Sequence, residues 1–497
     1  MVVAKRVSRR FKPVNEGPEA KIAIQWIAGF QNSTPVIIPR LTYFARRHWL
    51  ALSIALVINA LVLGNSIVHH PKIGYDVTEH LTYVQILPYR LPGPTDTSEY
   101  FSAPLPYLLP SLFDKVCAYS QWTDCRGLDG KFMQILNFLL SIGITVLFWR
   151  IAEILRPGSD VFKVSLFAML GILTVYYKTF SQARGEPYVA FFTVLVLFLI
   201  LKYLKNPVGL GWKNGLKLGV VLGLLILSRQ WGFFVFPAIA LLVVLVFIKD
   251  KPAGRRLGGV FLVSLPVALV VGGWFYLHLY FSYGSMTAFN RSSAGFSFSN
   301  QPSSFYTSTG LKNFVLFKTP VRQNFDGTML PIFYSDTWGD YWGYFSFIRN
   351  DVLNYKANGA EMIPYLGRVN LVSLFPTFIL LAGLAIGAVA LLNTIRRREF
   401  EFEPMALAFL FLLVFTSWAG FLWFLIAYPF VPGEINDKAS YMIQIFMVIP
   451  VLAAFFLERI RAWKRVVYNL GLVGLLLVFV HNFPALVTHF NWSWRFP

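Results

Sequence analysis

The sequence is short of charge and shorter still of acid. Only 14% of its 497 residues are charged, where a soluble chain of this length carries roughly a quarter. That shortage excludes an ordinary soluble globular protein. Aspartate and glutamate number 24 against 44 lysines and arginines, for a formal net charge of +20. No zinc-ligand spacing and no phosphate-cradling P-loop motif accompanies that charge. The excess therefore reads as loops held at anionic headgroups, not as a nucleic-acid surface. Cysteine is also scarce: Cys117 and Cys125, in CAYSQWTDC, are the two in the chain. Their spacing within one hydrophilic loop favours a Cys117–Cys125 disulfide if that loop lies outside the cytoplasm, with two unpaired thiols as the alternative.

Apolar residues are abundant: 56% of the chain is hydrophobic and 17% aromatic, with a mean hydropathy of +0.57. They come in continuous runs of about 18 to 25, long enough to cross a ~30 Å hydrocarbon core as helices. Barrel strands would alternate apolar and polar residues, so a membrane barrel is excluded. The expected fold class is an all-α polytopic membrane protein with about eleven transmembrane helices, the first at 49–68 and the last at 466–487. Only Arg229 and Gln230 separate the runs at 214–228 and 231–248, so these two read as short or re-entrant.

Basic clusters orient the runs. KRVSRRFK and Arg46–Arg47 precede the first, Arg396, Arg397 and Arg398 follow the eighth, and Arg459, Arg461, Lys464 and Arg465 follow the tenth. All fall on one side if the N-terminus is cytoplasmic. Residues 1–47 then form a basic cytoplasmic tail, without the apolar core of a signal peptide, although a transit peptide is a weaker alternative. Residues 48–490 form one integral membrane domain and 491–497 a short extracytoplasmic tail. Two large loops, about 69–130 and 281–368, face outside. The Pro- and aromatic-rich composition of the first predicts short amphipathic helices lying along the membrane surface. Asn-x-Ser patterns occur at Asn290 and Asn491.

The stretch GYDVTEHLTY at 74–83 follows the first span and brings Asp76, Glu79 and His80 within one or two helical turns. In a helix Asp76 and His80 share a face, with Glu79 adjacent. A carboxylate beside an imidazole can act as a general base; a solvated helix start accounts for the same residues. Arg184, Arg229 and Lys438 all fall at the outer boundary, where positive charge is otherwise scarce. Cations there suit an anionic headgroup, a phosphate or pyrophosphate, and snorkelling interface residues are the plainer alternative. Asp336 and Asp340, in YSDTWGDYW, suit sugar hydroxyls or a metal ion, or else cap local turns.

Taken in order, GYDVTEHLTYVQILPYRLP, APLPYLLPSL, ARGEPY, SRQWGFF and DKASYMIQIFMVIP resemble the GT-C superfamily of membrane glycosyltransferases. Protein O-mannosyltransferases, bacterial aminoarabinose transferases and family 39-like enzymes are examples. The resemblance implies transfer of a sugar from a polyprenyl-phosphate-linked donor to a lipid, glycan or protein acceptor hydroxyl, outside the cytoplasm and with inversion. Asp76 would be the base, with Glu79 and His80 as helpers. Arg184, Arg229 and Lys438 would bind the donor phosphate; Glu186, Tyr441, Asp336 and Asp340 would contact substrate. Relatives often carry an adjacent Asp-Glu pair, whereas here Val77 follows Asp76 and the glutamate comes at position 79. Whether Asp76 acts alone or with Glu79 is left open by that departure. A cofactor is not implied, and dependence on a divalent metal stays open. The rival readings are a transporter or flippase of a lipid-linked or anionic solute, and a non-catalytic subunit of an envelope assembly.

Overall fold

A computed structural model describes residues 46–119, 128–286, 289, 293–322, 324–325, 327–346, 359–397, 399–429 and 437–490. The chain divides into a unit Met1–Ser53 and a unit Ile54–Pro497. In the first unit the described residues, 46–53, are helical throughout. Cys125, Asn290 and Asn491 lie outside the described residues, as does nearly all of the basic tail; Cys117 is buried.

Apolar runs need internally satisfied backbone groups, and helices supply them. Among the described residues there are helices and no strands. Helix α1 spans Arg46–Val68. The connection that follows carries α2 (Val77–Ile86) and α3 (Leu105–Tyr119), and α4 (Asp129–Leu155) returns through the bundle. Next come α5 (Asp160–Gly171) and α6 (Thr174–Ser181), bent 63° apart where Leu173 is extended. Helices α7 (Glu186–Lys205) and α8 (Trp212–Ser228) lead through a 3-10 turn at Gln230–Phe234 into α9 (Val235–Lys249). Helix α10 (Lys251–Ala268) continues through a π turn at Leu269–Gly273 into α11 (Trp274–Tyr283). The second long connection holds α12 (Ser303–Thr307), α13 (Val315–Lys318) and α14 (Leu330–Trp338). The chain ends with α15 (Gly359–Val372), α16 (Leu374–Arg396), α17 (Phe402–Ala427), α18 (Ile443–Trp463) and α19 (Arg465–Leu486).

Nine of the described helices are long and apolar enough to cross a bilayer, ten if the bent pair α5–α6 counts as one span. The protein is a multi-pass integral membrane protein. Of the runs read as spans, α8 is the shortfall. Its 17 residues make about 26 Å of helix, a little less than the ~30 Å core. The expected surface helices of the first connection are present as α2 and α3. Helix α3 turns Leu108, Leu109, Leu112 and Val116 outward while burying Pro106, Tyr107 and Ser111.

Burial ranks the helices. The apolar stretch of α18 is 89% buried and that of α19 only 22%, so α18 runs through the interior and α19 along the lipid. Helix α8 meets α10 and the π turn through Gly215, Gly219 and Gly223, spaced one turn apart. A Cβ added at these positions would lie 2.7, 2.6 and 2.5 Å from the Cβ atoms of Val263, Val267 and Val271. Small residues at such a seam let backbones approach and gain dispersion contacts that lipid cannot supply. The seam fixes where α8 ends, and Arg229 stands at that end.

Substituting Gly219→Leu should destabilise the protein by about 3 kcal/mol, the upper part of the overpacking range. Gly471→Leu, at a position with open space around it, should leave the thermal midpoint in detergent within a degree or two.

Candidate active site

The chain turns into α2 through Gly74, Tyr75 and Asp76. Gly74 has φ +149°, and a Cβ there would meet Val77 Cγ2 at 2.5 Å and Gln182 Cδ at 3.2 Å, so only glycine fits. Asp76 is left-handed, with φ 55° and ψ 22°. A non-glycine residue in that region carries roughly 1 kcal/mol or more of strain. Although it occupies the cap position of α2, its side chain makes no cap hydrogen bond. The carboxylate instead accepts from Lys438 Nζ at 2.7 Å. A solvated helix cap does not account for this geometry, because the side chain points across to another segment.

Asp76 is 45% exposed and its partner Lys438 only 9%. The ammonium lies 5.1 Å from the ring centre of Tyr75, 5.4 Å from Tyr441 and 6.0 Å from Trp342. Aromatic faces attract a cation that has lost its water. Lys438 holds the Asp76 carboxyl well below the usual carboxylate range, against the burial that works to raise it. For Lys438 burial works to lower the ammonium, but Asp76 wins and raises it. A lowered carboxyl stabilises the contact above its ordinary pKa and loses that contribution only as pH falls through the lowered value. The pair therefore stays ionised throughout the physiological range.

Behind this pair lies a wall of buried charge. Arg184 stacks between Tyr75 and Tyr441, 5.0 and 5.6 Å from their centres, and donates to Ser440 Oγ at 3.0 Å. Its Nε donates to Glu186 Oε2 at 2.5 Å, while Arg229 Nε donates to Glu186 Oε1 at 3.1 Å. Arg229 Nη1 also donates to Glu99 Oε2 at 2.8 Å and to Ser102 Oγ. His80 Nδ1 is 3.7 Å from Glu99 Oε2 and 2.9 Å from Tyr107 Oη. Burial pushes the imidazole below its ordinary value, so it is neutral at physiological pH.

Of the residues singled out by sequence, Asp76, His80, Arg184, Glu186, Arg229, Lys438 and Tyr441 come together at one end of the bundle. Their standing differs from the expectation in three respects. Arg184 and Arg229, 1% and 3% exposed, are paired internally and do not face open space as phosphate ligands would. Glu79 accepts from Thr97 Oγ1 at 2.9 Å and the Ser98 N–H at 2.8 Å and so ties down a turn. Asp336 and Asp340 are fully buried. Asp336 is ion-paired to Lys178, and Asp340 accepts from the Phe345 and Ser346 N–H groups at 2.7 and 2.8 Å. Neither presents a free edge to a sugar.

Sequence reading missed Glu99, Tyr75, Trp342, Lys178 and Asp437. Glu99 sits in the Pro-rich segment of the first connection, three residues from Asp96, which pairs with exposed Arg90 and accepts from the Gly93 N–H. A carboxylate among aromatics, YFSAP to its C-terminal side, was the available signal. Asp437, beside Lys438, is buried, and neither carboxylate oxygen is hydrogen-bonded among the described residues; burial and then Asp336 push its carboxyl well above the ordinary range. Among the described residues no group of three or more histidine, cysteine, aspartate or glutamate side chains is placed to hold a metal ion.

Replacing Glu186 by Gln leaves the buried Arg184 without its carboxylate partner and Arg229 with Glu99 alone, and should cost about 3–5 kcal/mol. Glu79→Gln, which weakens one turn, should cost about 1 kcal/mol. Thermal unfolding of the two variants in the same detergent separates these outcomes.

No protein-family model matches the chain, and no curated protein does. Among solved structures it is similar to the oligosaccharyltransferase AglB from Archaeoglobus fulgidus in complex with an inhibitory peptide and a dolichol-phosphate. That likeness has 13% identity and a TM-score of 0.47, over 89% of this chain and 55% of that one. It is also similar to ArnT from Cupriavidus metallidurans bound to undecaprenyl phosphate, with 12% identity and a TM-score of 0.44, over 87% of this chain and 63% of that one. A further Archaeoglobus fulgidus oligosaccharyltransferase structure, tethered to an acceptor peptide, gives 13% identity and a TM-score of 0.42, over 89% and 55%. The chain thus spans between 55% and 63% of the length of these structures. At such identities and scores the likenesses say nothing about which side chains react.

Proposed function

We propose that this protein is a GT-C-like glycosyltransferase. It moves a hexosyl or pentosyl unit from a polyprenyl-phosphate-linked donor to an acceptor hydroxyl of a lipid, glycan or protein, on the extracytoplasmic side of a membrane. The observation that carries this reading is the Asp76–Lys438 pair: an exposed carboxylate joined at 2.7 Å to a cation buried among three aromatic rings. A base for the acceptor and a cation for the departing phosphate at one point suit glycosyl transfer from a phosphate.

In this mechanism the acceptor oxygen forms a bond to the anomeric carbon while the bond from that carbon to the phosphate oxygen breaks. The acceptor proton passes to Asp76, the polyprenyl phosphate leaves with the electron pair, and the anomeric centre inverts. Lys438 is the cation closest to the exposed base, and the departing phosphate draws on it. As Lys438 turns toward the phosphate, Asp76 loses its strongest acidifying neighbour and becomes more basic when a proton must be accepted. Arg184 and Arg229 act through the potential they add to the wall and by holding Tyr75, Tyr441 and Glu99 in place. His80, neutral and turned toward Tyr107 and Glu99, supports the packing of α2. The polyprenyl tail stays in lipid while its head enters at the same end of the bundle.

Asp76→Asn should lower transfer by at least about a hundredfold, the lower end of general-base contributions, with binding of a polyprenyl phosphate retained. Near-normal turnover would remove Asp76 as base. Uptake of a labelled anionic solute into proteoliposomes without any glycosyl transfer would instead support a transporter.

A further inference from the structure

The Asp336 carboxylate reaches both sides of the Asp76–Lys438 pair without touching either member. Its Oδ1 accepts from the Tyr75 hydroxyl at 3.0 Å, and Tyr75 immediately precedes Asp76. Its Oδ2 accepts from the Ala439 N–H at 2.7 Å, and Ala439 immediately follows Lys438. Lys178, on α6, supplies the countercharge to Oδ1 and donates to the Asp336 carbonyl at 2.7 Å. Both charged side chains are 0% exposed. Two segments far apart in sequence, 74–76 and 438–439, are thus tied to one carboxylate whose orientation is set from a third helix.

We infer that Asp336 is a positioning residue: by tethering the neighbours of Asp76 and Lys438 it sets the separation of that pair. The tether stands on its own contacts, and only the description of Asp76 as a base rests on the proposed function. Tyr75 strengthens the coupling, because its ring packs against Lys438 and Arg184 at once. The ring cannot move without moving both cations.

The charged and titratable groups that act on Asp76 are Lys438, His80 and Arg184, and Asp76 in turn acts on Glu99 and Tyr441. Arg184 is held by Glu186, and His80 by Tyr107. Lys438 has the largest effect on Asp76, and its position answers to Asp336. Attraction falls with distance, so slack in either tether weakens the hold on the Asp76 proton.

The chemistry of the carboxylate provides the test. An ionised aspartate offers two acceptor oxygens; asparagine offers one acceptor and an NH₂. The Tyr75 hydroxyl can accept from that NH₂ while the Ala439 N–H keeps the remaining oxygen, so the variant that removes both tethers is Asp336→Ala. In the full-length protein in detergent, labelling of Asp76 by a water-soluble carbodiimide and an amine is followed by peptide mass spectrometry across pH, with Asp76→Asn as the blank. The pH of half-labelling should rise by about one unit in Asp336→Ala, since a nearby opposite charge shifts a carboxyl by one to three units. Because that variant strands Lys178, Lys178→Met/Asp336→Ala is the second arm, and it should show the same rise. Loss of thermal stability with an unmoved labelling profile in both variants overturns the inference and leaves Asp336 a purely structural ion pair. A raised profile in a protein that transfers sugar from no polyprenyl-phosphate donor upholds the tether and ends the transferase reading. Robust transfer with an unmoved profile does the reverse.

Discussion

Lys178 and Asp336 bury two full charges with no exposed surface between them. Removing such a pair from water costs several kcal/mol per ion, and the attraction offsets that cost only when the remaining donors and acceptors are filled. Here they are filled by the Tyr75 hydroxyl, the Ala439 N–H and the carbonyl of Asp336 itself. The requirement reaches well beyond one contact. It calls for α6 to break away from α5 so that Lys178 meets the second connection. It also holds that connection over the turn into α2 and the entry to α18.

The remaining charges obey a similar balance. Arg184, Arg229 and Lys438 are matched by Glu186, Glu99 and Asp76. Two of these cations are arginines, whose planar forks bond several acceptors without further ordering and stack on rings. The glutamates are buried, so the arginines act as a fixed wall. Asp76 alone of the three carboxylates combines an ionic partner with substantial exposure, and that asymmetry is what singles it out as the proposed reactive group.

The membrane bundle supplies the rigidity on which this arrangement rests. Glycines 215, 219 and 223 let α8 approach α10 and the π turn, which fixes the height of Arg229; Glu186 opens α7 and pairs with Arg184. Side chains at helix ends are placed by packing along the whole helix, so small residues some 15 Å away by helical rise help to set the site.

The sequence by itself determined the class of molecule, the order of its helices and the end of the bundle where ionisable residues gather. Hydropathy and the spacing of basic residues are local or additive properties, and each can be read without knowing who meets whom. The same reading found Asp76, Arg184, Arg229 and Lys438, because charge is conspicuous against an apolar background. It assigned the two arginines to the ligand, and it took Asp336 as a substrate contact, because burial and pairing are settled by the fold: Arg229 meets Glu99 across 130 positions and Asp336 meets Lys178 across 158. Tertiary structure alone decided that Glu79 ties a turn, that Glu99 completes the charge wall and that Lys438 reaches across 362 positions to Asp76. A carboxylate's role follows from its partner and its exposure, and neither is a property of the residues beside it in the chain.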